Sequence, residues 1–188
     1  TGPTCIKFEK KFSKFVNSKF SVAVNSATSA LHIACKALGL GKGDYLWTSS
    51  ITFVASANCG LYCGAKIDFV DIDENTYNLC IKSLKLKLEE ASKSGKLPKV
   101  VIPVHLTGQP CEMEEIYELS KKYKFKIIED ASHSLGAKFL NNKVGNCKYG
   151  DITVLSFHPV KIITTAEGGA ATTNDLKLYN KLNQLRFH

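Results

Sequence analysis

Short apolar runs alternate along this chain with longer runs of helical spacing, and few folds accept that order. "KFSVAVN" (19–25) predicts a strand, and "SATSALHIACKALGLG" (26–41) predicts the helix after it. Ala27, Ala30, Leu31, Ala34, Ala37 and Leu38 recur on one face of that helix, and Gly39 supplies its stop. "DYLWTSS" (44–50) precedes a small-residue helix, "FVASANCGLYCG" (53–64). "KIDFVDID" (66–73) precedes the helical "SLKLKLEEASKSG" (83–95), and "KVVIPVHL" (99–106) precedes "CEMEEIYELSKKYK" (111–124). Three further strands, "FKIIEDA" (125–131), "DITVLSFH" (151–158) and "GGAATTN" (168–174), lead to a helix starting near Asp175. Continuous apolar strands need helices over both faces, so the pattern predicts an α/β fold with a largely parallel sheet.

Such a sheet collects ligands beyond the carboxyl ends of its strands. Asn25, Ser49, Ser50, Asp130, Ser156 and His158 therefore become the polar residues to weigh. Ser26, Thr28 and Ser29 place three hydroxyls at a helix start, beside small Ala27 and Ala30. They cap the helix, and free N–H groups at such an end also suit a phosphate. Neither a phosphate-loop nor a dinucleotide fingerprint is present: "GLGKG" (39–43) follows a helix instead of opening one. Asp130 ends a strand behind Ile127 and Ile128, where a carboxylate needs a donor or a cation. It can cap the following turn, with Glu129 facing solvent, or hold a protonated ring nitrogen such as that of pyridoxal phosphate. His133, three residues on, can reach the same ligand. In "SFHPVKIITTAEGG" (156–169) a single lysine, Lys161, follows a strand end and Pro159. Solvation on the surface is the ordinary fate of a lysine; in a pocket, lysine is a Schiff-base nucleophile.

Composition removes other classes. The chain carries a net charge of +8, but its basic residues are 24 lysines and one arginine, Arg186, spread along the whole length. Recognition of nucleic acid favours arginine forks, so no nucleic-acid partner is expected. No apolar run approaches the ~18 residues of a membrane span, so no membrane role is expected. "TGPTCIKFEKK" lacks a secretion signal's apolar core, which makes cytoplasmic residence the expectation. Seven scattered cysteines without a C-x-x-C pair predict buried, reduced thiols and no metal site. The missing initial methionine and an end inside a helical pattern predict a piece of a longer protein.

"NSATSALH", "TFVASAN", "EDASHSLGA" and "SFHPVKIITTAEGGA", in that order, resemble the DegT/DnrJ/EryC/StrS sugar-nucleotide aminotransferases, fold-type I pyridoxal phosphate enzymes. Within the family the wording is most similar to the branch that aminates position 4 of a UDP-linked 4-keto-6-deoxy-N-acetylhexosamine for surface-glycan sugars. The resemblance implies a three-layer αβα large domain over 1–188 with a mostly parallel mixed sheet. A preceding N-terminal segment and a following small domain would lie outside the chain. It implies Lys161 as the catalytic Schiff-base lysine and proton carrier, Asp130 against the pyridinium nitrogen, and His133 near the ring hydroxyl. Phe53 would stack on the ring, and Thr28, Ser29 and Ser156 would hold the phosphate. Glutamate would give its amino group, leaving 2-oxoglutarate and pyridoxamine phosphate, in a homodimer. Relatives with histidine at the lysine position are dehydratases, so Lys161 favours transamination. A different nucleotide sugar, such as a dTDP-3- or 4-keto sugar, and a non-catalytic pyridoxal phosphate-binding domain are the alternatives. His158 receives no role from this reading.

Overall fold

The computed structural model describes residues 2–187. Its elements in chain order are α1 (Pro3–Val16), β1 (Phe20–Val24), α2 (Ala27–Ala37), β2 (Tyr45–Ser49), α3 (Ala55–Tyr62), β3 (Lys66–Val70), α4 (Ile81–Ser94) and β4 (Val100–Ile102). Then follow α5 (Met113–Tyr123), β5 (Lys126–Asp130), a hairpin of β6 (Lys138–Phe139) and β7 (Asn142–Lys143), β8 (Ile152–Ser156), β9 (Gly169–Thr173) and α6 (Leu176–Phe187). Seven strands form one sheet in the order β1-β9-β8-β5-β4-β2-β3. Neighbours from β8 through β3 run parallel, and β9 lies antiparallel to both β8 and β1. The expected mixed, mostly parallel sheet is therefore present, with β5 in the middle.

Successive residues of a strand face opposite ways, and both faces are covered. Val100, Ile102, Ile128 and Val154 pack under α2, α3 and α6. Val101 and Ile127 pack under α4 and α5, while Leu155 and Ala170 pack under α1. The result is three layers. Glu129 corrects the expectation of a solvent-facing side chain: it is 6% exposed. A middle strand has no solvent face, so this carboxylate instead takes Thr153 Oγ1 (3.2 Å) and His105 Nε2 (3.1 Å) as partners. Cys111 N–H donates to His105 Nδ1 (3.2 Å), which leaves the ring proton on Nε2, facing Glu129.

The patterning leaves two elements unassigned, α1 and the β6–β7 hairpin. Helix α1 has an anchoring role. Glu9, buried on it, accepts the Ala23 N–H of edge strand β1 (2.8 Å) and an Nη1 hydrogen of Arg186, and Arg186 also donates to Ala23 O (3.3 Å). These bonds cover backbone groups that an open sheet edge would expose. Phe12 and Phe8 meet Phe157 edge-on at 5.4 and 5.6 Å between ring centroids. Phe157 also closes the base of the Lys161 loop, donating its N–H to Gly168 O (2.9 Å) and accepting from Thr165 N (3.0 Å). All seven cysteines are unpaired; Cys35, Cys59, Cys111 and Cys147 are buried as expected, but Cys5, Cys63 and Cys80 are only half-buried. Among the described residues no helix is long and apolar enough to cross a membrane. Replacing Phe157 by Ala in the full-length protein should cost about 3–5 kcal/mol in urea unfolding, the range for an aromatic lost from a packed core.

Candidate active site

The parallel strands bring their carboxyl ends to one edge, and the reversed β9 brings its start, Gly169, to the same edge. There the chain encloses a cavity of about 420 Å³. Thr28, Phe53, Asp130, His133, Ser156 and Lys161 all line it. Ser29 does not: its N–H donates to Ser26 Oγ (3.1 Å) and its hydroxyl meets the same oxygen (3.1 Å). Ser26 thus caps α2 from the cavity wall. Of the other strand-end residues, His158 lines the cavity and Asn25, Ser49 and Ser50 stand outside it.

Asp130 is 5% exposed at the end of the middle strand. Its backbone is held on both sides: its N–H donates to Pro103 O (2.9 Å), its carbonyl accepts His105 N–H (3.0 Å), and Ala131 N–H donates to Val154 O (2.8 Å). Oδ1 accepts the Ser132 hydroxyl (2.6 Å) and N–H (3.2 Å), and Oδ2 accepts the Ser56 hydroxyl (2.6 Å). Asp130 therefore does cap its turn, through Ser132, and it also reaches a residue 74 positions away. Among the described residues no ion pair includes Asp130. A buried carboxylate beside a cavity, satisfied only by neutral donors, suits a cationic N–H from a ligand.

The other end of the cavity suits an anion. With Ser29 N–H capped and Ala30 N–H given to Ser26 O (3.0 Å), the N–H groups of Ala27 and Thr28 remain as first-turn donors. Gly169 permits this approach: a Cβ there would lie 2.5 Å from Ala27 N and from Ser26 C. The donor set thus fits a molecule with a cationic ring nitrogen at one end and a phosphate at the other.

Lys161 is half-buried on the 157–168 loop, carries no ion pair among the described residues, and donates its backbone N–H to His158 O (2.9 Å). Ser156 Oγ accepts His158 N–H (3.4 Å), and His158 Nε2 stands 4.0 Å from Glu167 Oε1. Burial holds the pKa of His133 below the ordinary 6.5, the Lys161 ammonium lowers it further, and Asp130 only partly opposes them. The residue reading passed over Thr52, Ser56 and Ser132. Ser132, two residues beyond Asp130, carried a visible signal, because Asp-x-Ser favours a side-chain-closed turn. Ser56 carried none, since nothing in its neighbours points across the sheet.

This geometry meets its relatives here. Residues 1–188 match the DegT/DnrJ/EryC1/StrS aminotransferase family from end to end. The chain belongs to that family. Its members are pyridoxal phosphate-dependent. The UDP-4-amino-4,6-dideoxy-N-acetyl-beta-L-altrosamine transaminase of Campylobacter jejuni is 42% identical over 187 residues, 100% of this chain and 48% of the relative. The GDP-perosamine synthase of Caulobacter vibrioides is 40% identical over 98% of this chain and 48% of its own length. Among solved structures, Helicobacter pylori PseC, an aminotransferase of pseudaminic acid biosynthesis, superposes with a TM-score of 0.91 at 34% identity. It covers all of this chain, which spans 49% of PseC. NtdA of Bacillus subtilis, solved with the cofactor PMP bound, gives 0.88 at 32% identity, covering 100% of this chain and 41% of NtdA. The chain spans about half the length of the curated relatives it matches.

His133 binds its proton less tightly folded than unfolded, so it weakens the fold as pH falls from 6.5 through its lower folded value. In a histidine NMR titration of the full-length protein without cofactor, its midpoint should lie below 6.5. Lys161→Ala should raise that midpoint, and Asp130→Ala should lower it further.

Proposed function

We propose that the chain is the cofactor-binding large domain of a pyridoxal phosphate-dependent aminotransferase. It moves an amino group from glutamate to a keto carbon of a nucleotide-linked 6-deoxy sugar, in the assembly of surface polysaccharide. The observation that carries this reading is the cavity shared by Asp130, buried without a cationic partner among the described residues, by Lys161 and by the first turn of α2. A UDP-linked 4-keto-6-deoxy-N-acetylhexosamine is the favoured acceptor, supported by the likeness to the Campylobacter transaminase and to PseC.

Pyridoxal phosphate, when bound, supplies an electrophilic carbon for the donor amine and an electron-withdrawing ring. Asp130 holds and orients the ring nitrogen through its charge. The N–H groups of Ala27 and Thr28, with the hydroxyls of Thr28 and Ser156, hold the phosphate, and Ser29 supports them by bonding the cap residue Ser26. Phe53 covers the ring. His133, kept neutral by its lowered pKa, is a hydrogen-bonding partner for the ring hydroxyl without adding charge. In each half-reaction Lys161 would move a proton at Nζ between the substrate carbon and the cofactor carbon.

The mouth of the cavity carries Phe53 (72% exposed) and Val160 (77%), with Ile51, Val54, Ile162 and Ile163 beside them also exposed. An apolar rim of this kind favours burial against a second subunit, which supports a homodimer in the full-length protein. Cytoplasmic residence is part of the same proposal.

Full-length protein loaded with pyridoxal phosphate should show a visible band that glutamate converts, and borohydride should fix the cofactor to Lys161. Lys161→Ala should abolish both, and Asp130→Ala should lower amino transfer by at least two orders of magnitude, as loss of a transition-state charge partner does. A trapped adduct that glutamate never changes would mark a non-catalytic binding domain. Turnover of UDP-, GDP- and dTDP-linked keto sugars, compared directly, decides the acceptor.

A further inference from the structure

The hydroxyls of Thr52 and Ser56 form a chain whose direction follows from the chemistry of its last member. Ser56, completely buried on α3, stands with its Oγ 2.6 Å from Asp130 Oδ2. An ionised carboxylate only accepts, so the single Ser56 hydroxyl proton belongs to that bond. The Thr52 and Ser56 hydroxyl oxygens are 3.0 Å apart. With its own proton committed, Ser56 can only accept there, so Thr52 donates. The order is Thr52 to Ser56 to Asp130, and each donation polarises the next.

The two carboxylate oxygens are held differently. Oδ1 takes both of its donors from Ser132, two residues along the same turn. Oδ2 takes its donor from another element, so among the described residues only the Ser56 bond ties the carboxylate to something outside its own loop. Helix α3 begins two residues after Phe53, and Ser56 N–H donates to Phe53 O (3.1 Å). One residue thus connects the ring-nitrogen partner to the segment bearing the aromatic at the cavity mouth. We propose that Ser56, backed by Thr52, is a positioning residue that sets the aim and the effective charge of Asp130 toward the ring nitrogen of bound pyridoxal phosphate. This rests on the reading of the site given above.

The test uses the full-length protein. Ser56→Ala should weaken pyridoxal phosphate binding about tenfold, because the misaimed carboxylate loses its bond to the ring nitrogen, a loss larger than the gain from its freed charge. It should also raise the pH midpoint of the visible band, because a carboxylate with one donor fewer presents more negative charge to the cationic form of the cofactor. Ser56→Thr keeps the hydroxyl and should restore both values. Thr52→Val should move both in the same direction as Ser56→Ala, but by less. Thermal unfolding identifies variants that are simply unfolded. Affinity unchanged in Ser56→Ala, or a midpoint that stays or falls, overturns the proposal. A readout independent of cofactor is the Ser56 hydroxyl proton in the unloaded protein. By NMR it should exchange slowly and contact Asp130, and Asp130→Ala should erase it; rapid exchange in the wild type overturns the chain. If wild type binds no pyridoxal phosphate while that proton is protected, the reading of the site fails and the hydroxyl chain stands.

Discussion

A carboxylate buried at the end of the middle strand needs donors to stay charged, and the surrounding structure supplies them. Burial of an ion without donors costs several kcal/mol or more, so Asp130 recruits them from two directions. Ser132 serves it from its own turn and Ser56 from α3, while strands on both sides lock its backbone. None of these donors carries a charge. Among the described residues the negative charge is held in place and not paired with a cation.

The remaining parts of the site are delivered by topology. Parallel strands joined by helices send all their carboxyl ends to one edge, so α2, α3, Asp130 and Ser156 converge there although they are far apart in the chain. The antiparallel β9 adds the opposite end of a strand to that edge, and its Gly169 lets the first turn of α2 settle against it. The lysine loop lies between β8 and β9 and is closed at its base by Phe157. That ring is packed in turn by Phe8 and Phe12 of α1. A helix remote from the chemistry therefore helps to fix the loop that bears Lys161.

Much of this was legible along the chain. The seven strands of the main sheet and five of the six helices followed from apolar period and glycine stops. Helix α1 escaped because its buried side includes Glu9, whose burial makes sense only beside Ala23 and Arg186. Glu129 misled for a related reason: strand alternation says that neighbours face opposite ways, and says nothing about whether either face is wet. Ser29 carries the hydroxyl expected of a phosphate holder; its oxygen accepts the Ser26 hydroxyl, and its N–H donates to Ser26 Oγ in the helix cap.

By itself the sequence determined the elements, their order and the residue types able to bind a phosphate, a ring nitrogen and a carbonyl carbon, because those depend on local periodicity and side-chain chemistry. Its four stretches around Thr28, Phe53, Asp130 and Lys161, in that order, also placed the chain among its relatives. Only the tertiary structure decided which hydroxyl meets which oxygen. Ser56 and Asp130 are 74 residues apart, and their 2.6 Å bond exists because α3 lies beside α2 over the face of the sheet that buries Ile128. Contacts of that kind are set by packing across the sheet, and no local pattern encodes them.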